Sequence, residues 1–354
     1  MQFVALKLLI ALILVQFFNS SESSTAFAGT LSFSERLNCD LYFDGDVETG
    51  DVERLEQVYK KLDFDHRIYA RLCLNSKGGS YDVGLKIIGW LIETSNIYTV
   101  VEEGDECISA CALIFMFGNH NEGDALTSPH RELHVGAKLG FHAPYIDPLV
   151  DSKQAVLSAK AYRAGIVAIG GLLEIDWDDW FPKSLLIAML KREPNQFLFV
   201  DTIERAASWS IELTGFQSPN KVTRSMLEIA CINAARTDDN KWSGRWWGAG
   251  DSPTGQREEI LSANIYVTMN QRHNRTVFKG FGAEDGRICV TDVYEVGKNG
   301  LLLDVNFGDD VDDSSIPAPR NPENIFQDGE TFWSEEPNWF FYPGLTKLAD
   351  LPRR

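Results

Sequence analysis

The 354-residue sequence has no surplus of basic charge. Lys and Arg number 33 against 51 Asp and Glu, for a formal net charge of −18. This excludes a protein built to hold a nucleic-acid backbone or an anionic membrane surface, since both need clustered cations. An apolar run of the ~20 residues that a spanning helix needs is also missing. No fixed-period repeat is present, which removes solenoid and array architectures. Gly-x-Gly-x-x-Gly is absent, and with it the dinucleotide fingerprint. Gly-x-Ser-x-Gly is absent, and with it the hydrolase elbow with flanking glycines.

What is present is ordinary globular composition, 44% hydrophobic and 24% charged, so a mostly disordered chain is excluded. At roughly 100–200 residues per domain, the length suits two domains. Lys7 is followed by the apolar run from Leu8 to Val15, which Phe17 and Phe18 extend. Ala26-Phe27-Ala28 then puts small residues at −3 and −1 of a cleavage point. Residues 1–28 therefore read as a secretory signal peptide cut after Ala28, and the mature protein as periplasmic or secreted, with no membrane attachment after cleavage. Cleavage removes one base, Lys7, and one acid, Glu22, leaving the net charge unchanged.

Export gives the six cysteines, Cys39, Cys73, Cys107, Cys111, Cys231 and Cys289, access to disulfide chemistry. Cys231 and Cys289 share the late segment and are expected to pair, while the remaining connectivity is open. Cys107 and Cys111 have no second Cys/His pair at finger-like spacing, so no metal is expected. No cofactor is expected either.

Hydrophobic patterning divides the chain. Alternating or apolar runs at 38–46, 68–74, 97–102 and 138–142 read as strands. Helices are expected at 50–61, after the turn ending at Ser80 and through Val83 to Ile92, over Cys107 to Phe117, at 153–173, from Pro182 to about Arg192, and from Ile203 to Leu213. Strands alternating with helices indicate an α/β layered domain over 29–215. One helix near 220–236 and short runs at 263–269, 275–281, 287–296 and 301–307 indicate a smaller β-rich domain over 216–354. The Trp242–Gly248 segment reads as packed β core, and the acidic run from Asp309 to Asp313 as a solvated linker.

Three stations in the first domain could carry chemistry. Gly78-Gly79 follows a strand and permits an exposed turn whose N–H groups face a ligand; the alternative is a plain strand-to-helix turn. Ser109 lies among small residues at a helix start, where a hydroxyl is reachable and the next amide can face a developing oxyanion. The alternative there is a helix cap. His142 ends an apolar strand and has the basicity to take a serine proton near neutrality. It is better placed than His120, His130 and His134, in a polar segment expected to be irregular, or than His66 and His273.

A strand, Asn75-Ser76-Lys77-Gly78-Gly79, a helix, a strand, Ser109 at a small apolar helix start, then a strand and His142-Ala143-Pro144, in that order, resembles the proteolytic subunit of the Clp protease. The likeness is greatest to exported bacterial relatives with cysteines around the nucleophile, and it covers roughly residues 38–214. The resemblance implies a ClpP/crotonase-like spiral of ββα units, with Ser109 as nucleophile and His142 as general base. It also implies an oxyanion hole from the amides of Gly79 and Ala110, and an extended peptide or protein substrate held along a strand edge. Homo-oligomeric rings built through residues 153–173 are implied as well. Lys77 replaces the family's proline, which should loosen the glycine turn. Asn195 stands where the family has aspartate; an amide orients a histidine but does not stabilise imidazolium by charge. Glu193 and Asp201 are the other candidates for that role.

The expected function is peptide hydrolysis through an acyl-enzyme on Ser109. One alternative is a module of the same scaffold that binds peptide without cutting it. Another is a Ser–Lys peptidase using Lys77 or Lys138, which requires a desolvated lysine. An acyl-CoA enzyme fits less well, because its cofactor is cytosolic.

Overall fold

The computed structural model describes residues 30–33, 39–62, 69–121, 127–143, 165–167, 169–174, 181–192, 196–219, 221–237, 265–270, 273–281, 287–295, 301–309 and 338–354. Its centre is a six-stranded sheet of β1 (Thr30–Phe33), β2 (Leu41–Asp44), β3 (Ala70–Asn75), β4 (Ile97–Val101), β8 (Arg131–His134) and β11 (Glu212–Thr214), in that spatial order. All neighbours are parallel except β1 and β2. Every residue of β4 is buried, as a strand inside a parallel sheet covered on both faces must be. The fold is thus mixed α/β around a mainly parallel sheet.

Helices α1 (Asp51–Tyr59), α2 (Tyr81–Thr94) and α3 (Ala110–Phe115) follow β2, β3 and β5 (Glu106–Ile108). Ser80 starts α2, its hydroxyl accepting the Val83 N–H, and Val83, Ile87, Ile88 and Leu91 recur at helical spacing to bury one face. A second, three-stranded sheet orders β10 (Leu198–Phe199), β9 (Lys138–Phe141) and β5, with β5 and β9 parallel. The short strands β6 (Asn119–Asn121) and β7 (Thr127–Pro129) form a hairpin-like pair.

After α4 (Lys183–Leu190) and α5 (Ile203–Ser208), helix α6 (Arg224–Thr237) packs against an antiparallel meander of β12 (Ile265–Asn270), β13 (His273–Phe281), β14 (Arg287–Glu295) and β15 (Leu301–Asp309). Cys231 of α6 is bonded to Cys289 of β14, the pair expected from the sequence. Cys39 bonds Cys73, and Cys107 bonds Cys111; no cysteine is free. Three disulfides suit an oxidising, extracellular-type compartment. No helix among the described residues is long and apolar enough to cross a membrane.

Residues 338–354 pack back against earlier elements. Trp339, Phe340 and Phe341 are at most 1% exposed and share one core cluster with β2–β4 and α6. The backbone amides of Ile203, Glu204 and Leu348 tie this segment to α5, donating to Thr346, Gly344 and Asp201 respectively.

Several elements differ from expectation. Cys107 lies in β5, not in a helix, because its backbone completes the register with Leu139. The helix from Ile203 stops at Ser208: Ser210 has φ 50°, and residues 212–214 leave to pair with β8. His120 and His134 lie in strands β6 and β8, too short to show alternation. Residues 165–167 and 169–174 are helical, but most of the expected 153–173 helix lies outside the described residues. So do residues 1–28 and Trp242–Gly248.

Away from the helices, Arg71 on β3 donates both Nη atoms to the Glu132 carboxylate at 2.6 and 2.7 Å, and His130 lies 3.3 Å from it. Burial alone would raise the Glu132 pKa; hydrogen bonds from His130 and Arg71 outweigh it and hold the carboxylate below its usual value. A lowered folded-state value means that this stabilisation is full above the ordinary carboxylate pKa and is lost as pH falls through the lowered one. Glu132→Gln is expected to cost roughly 2–3 kcal/mol at neutral pH. In urea titrations the difference from wild type should shrink under strong acid.

Candidate active site

The glycine turn is built first. Val47 lies alongside it, its N–H donating to Gly78 O (2.7 Å) and its carbonyl accepting the Ser80 N–H (2.8 Å). The Ser76 hydroxyl accepts the Gly78 N–H at 3.1 Å. Both glycines have positive φ, 107° and 138°, and each is required for a separate reason. A Cβ on Gly79 would lie 2.4 Å from Val47 O; a Cβ on Gly78 would lie 2.6 Å from Ser109 Cβ. Val47 and Ser76 hold the turn through these hydrogen bonds. The Lys77 side chain is 78% exposed, 3.6 Å from Glu106.

The second part is the step from β5 into α3. Ser109 occupies the position before the first helical residue, yet its side chain makes no capping hydrogen bond. Its backbone has φ 62° and ψ −124°, a region that costs a non-glycine residue about 1–3 kcal/mol. The surroundings enforce it. The Ser109 N–H donates to Gly140 O at 2.9 Å and the Ile108 N–H to Ser76 O at 2.9 Å, and the Ser109 Cβ lies in the space that a side chain on Gly78 would need. The hydroxyl is thereby turned from the helix toward β9.

There it meets His142. Ser109 Oγ lies 2.7 Å from His142 Nε2, and His142 Nδ1 lies 2.8 Å from the Ala143 carbonyl. A carbonyl only accepts, so Nδ1 carries the proton and Nε2 accepts from the serine hydroxyl. That is the tautomer in which an imidazole can remove the proton during attack. The edge of Phe197, with ring centroids 5.0 Å apart, buttresses the imidazole, and Phe199 lies over Gly140.

The remaining candidates from the sequence are the amides of Gly79 and Ala110. Neither N–H donates to a protein acceptor among the described residues, and Ala110, as the first helical residue, has no intrahelical partner to donate to. Backbone N–H groups of this kind can stabilise charge developing on a carbonyl oxygen.

Of the candidates for the third member, Asn195 and Glu193 lie outside the described residues. The Asp201 carboxylate pairs with Arg205, four residues on, and its backbone carbonyl accepts the Leu348 N–H. Lys138 and Lys77 are both exposed, so neither is desolvated as a lysine base must be. Cys39, Cys73 and Glu102 cluster closely enough for a metal, but the two sulfurs are bonded to each other and offer no thiolate. Val47, Ser76, Gly140 and Phe197 were not legible as site residues, because each acts through a contact remote in sequence. The Cys-x-Ser-x-Cys symmetry about Ser109 was a signal that could have revealed the local disulfide.

No family model matches the chain, and no curated protein matches it. Among solved structures it is similar to a ClpP1 mutant from Listeria monocytogenes, with 11% identity, coverage of 49% of this chain and 89% of that chain, and a TM-score of 0.33. At that identity and score the likeness assigns no residue a role.

Gly78→Ala is expected to push Ser109 off its turn, since the added Cβ meets backbone and Cβ atoms that cannot rotate away. In a crystal structure of that variant, Ser109 Oγ and His142 Nε2 should stand beyond hydrogen-bond distance. An unchanged 2.7 Å contact would contradict the packing argument.

Proposed function

We propose that the chain is an exported serine peptidase that cleaves extended peptide or protein segments through an ester on Ser109. His142 Nε2 takes the hydroxyl proton as Oγ attacks the scissile carbonyl carbon. The oxyanion is held by the Gly79 and Ala110 N–H groups. Collapse breaks the C–N bond, and the proton on His142 passes to the leaving amine. Water then attacks the ester, giving its proton to His142, and Ser109 leaves with that proton.

The single observation that supports this is the 2.7 Å contact between Ser109 Oγ and His142 Nε2, made by a serine that sits in a cap position without capping. A structural serine has no reason to hold a positive φ in order to reach a histidine. The same proposal takes in the ClpP/crotonase-like spiral of ββα units, the signal peptide, the division near residue 215 and a homo-oligomer. The peptide substrate class rests on the ordered stations in the sequence.

One observation favours a second reading, peptide binding without cleavage. The Ala143 carbonyl 2.8 Å from His142 Nδ1 orients the ring but supplies no negative charge to the imidazolium. The Ser–Lys reading is less favoured, since both lysines are solvated.

A fluorophosphonate probe should label wild-type protein at Ser109, and Ser109→Ala should reduce labelling to background. His142→Ala should slow labelling on the order of 10²–10⁴-fold, the usual contribution of a general base. Labelling that survives Ser109→Ala overturns the assignment. Labelling that survives His142→Ala but falls in Lys77→Ala or Lys138→Ala would favour the lysine base.

A further inference from the structure

The disulfide Cys107–Cys111 brackets Ser109 symmetrically, two residues on either side. Cys107 is fixed in β5, between Leu139 of β9 and Ser76 of the glycine-turn approach. Cys111 is fixed in the first turn of α3. Both residues are 0% exposed. The bond therefore closes a covalent ring of five residues whose middle member has the strained backbone.

Its place is unusual for a stabilising crosslink. A disulfide constrains the unfolded chain more as the loop it closes lengthens. Cys39–Cys73 and Cys231–Cys289 span 34 and 58 residues, while Cys107–Cys111 spans 4. The last therefore adds least to global stability, and its effect is on local shape. Without it, the Gly140 hydrogen bond and Gly78 remain but the ends of the loop are released, and Ser109 gains the alternative open to any serine before a helix: relax to negative φ and cap α3 with its own hydroxyl. That relaxation would draw Oγ from His142 and turn the Ala110 N–H, since the two share one peptide unit.

We propose that the Cys107–Cys111 disulfide is a positioning element. It excludes the capping conformation of Ser109 and so holds the hydroxyl against His142 and the Ala110 amide toward the oxyanion position. The catalytic consequence rests on the acyl-transfer reading of Ser109; the positioning itself does not.

The test compares full-length mature wild type with C107A/C111A, C39A/C73A and C231A/C289A. It measures Tm, the fluorophosphonate acylation rate constant separated from probe affinity, and the imidazole ¹⁵N spectrum of His142, referenced to Ser109→Ala. C107A/C111A should lose least Tm of the three yet lose about 10²-fold in acylation at unchanged affinity, the cost of a misplacement near 1 Å. Its His142 spectrum should match that of Ser109→Ala. The two control pairs should lose more Tm and keep acylation within roughly threefold.

Acylation and spectrum unchanged in C107A/C111A would overturn the inference. So would failure of both C107A/C111A and the volume-filling C107V/C111A to fold, since it would make the short loop a global stabiliser. If wild type is never labelled but the spectrum still shifts in C107A/C111A, the positioning stands and the hydrolytic reading falls.

Discussion

The candidate site depends on one constraint, the positive-φ turn at Ser109. A serine entering a helix ordinarily spends its hydroxyl on the helix's own amides. Here three neighbours remove that option. Gly78 leaves no space behind the Cβ, Gly140 takes the Ser109 amide, and the Cys107–Cys111 bond fixes the ends of the loop. The hydroxyl then has His142 as its partner. Among the described residues the amides of Ala110 and Gly79 have no acceptor, because Ala110 begins the helix and the Gly78 carbonyl that accepts from Val47 leaves the Gly79 N–H on the opposite side of their shared peptide.

The two sheets divide the labour. The main parallel sheet carries the glycine turn at the C-terminal end of β3, where loops of open α/β sheets gather their ligands. The three-stranded sheet carries Ser109 at the end of β5 and His142 at the end of β9, and the parallel β5–β9 register puts Ile108 opposite Gly140. Ser109 therefore leaves β5 one residue beyond this pair, and His142 leaves the adjacent strand β9 two residues beyond it. The last residues of the chain reach this region indirectly. They bond to the Asp201–Glu204 backbone just after β10, whose preceding residue Phe197 supports the imidazole.

Much of this was legible in the residues. Strand, double glycine and helix in sequence placed β3 and α2, because Val83, Ile87, Ile88 and Leu91 keep a clean helical period. Cys231 and Cys289 paired as their shared segment suggested. The late strands were visible from alternation punctuated by glycine and asparagine. What stayed hidden was non-local or too short. Strand β5 is three residues long and merges with α3 in any window, so Cys107 read as helical. Ser210 ends α5 by a backbone turn that no periodicity records. Asp201 was a candidate by position, and position alone did not record that its carboxylate pairs with Arg205, four residues on. The role of Val47 in holding the glycine turn has no sequence signature, since it depends on a parallel bridge between loops 32 residues apart.

The most direct test of the account is rapid-quench mass spectrometry of the wild-type protein mixed with an activated peptide ester. The account predicts a transient mass increment equal to the acyl group, located on the peptide that contains Ser109 and lost with time as water completes turnover. An increment confined to another residue, or none while the ester is consumed, would contradict it.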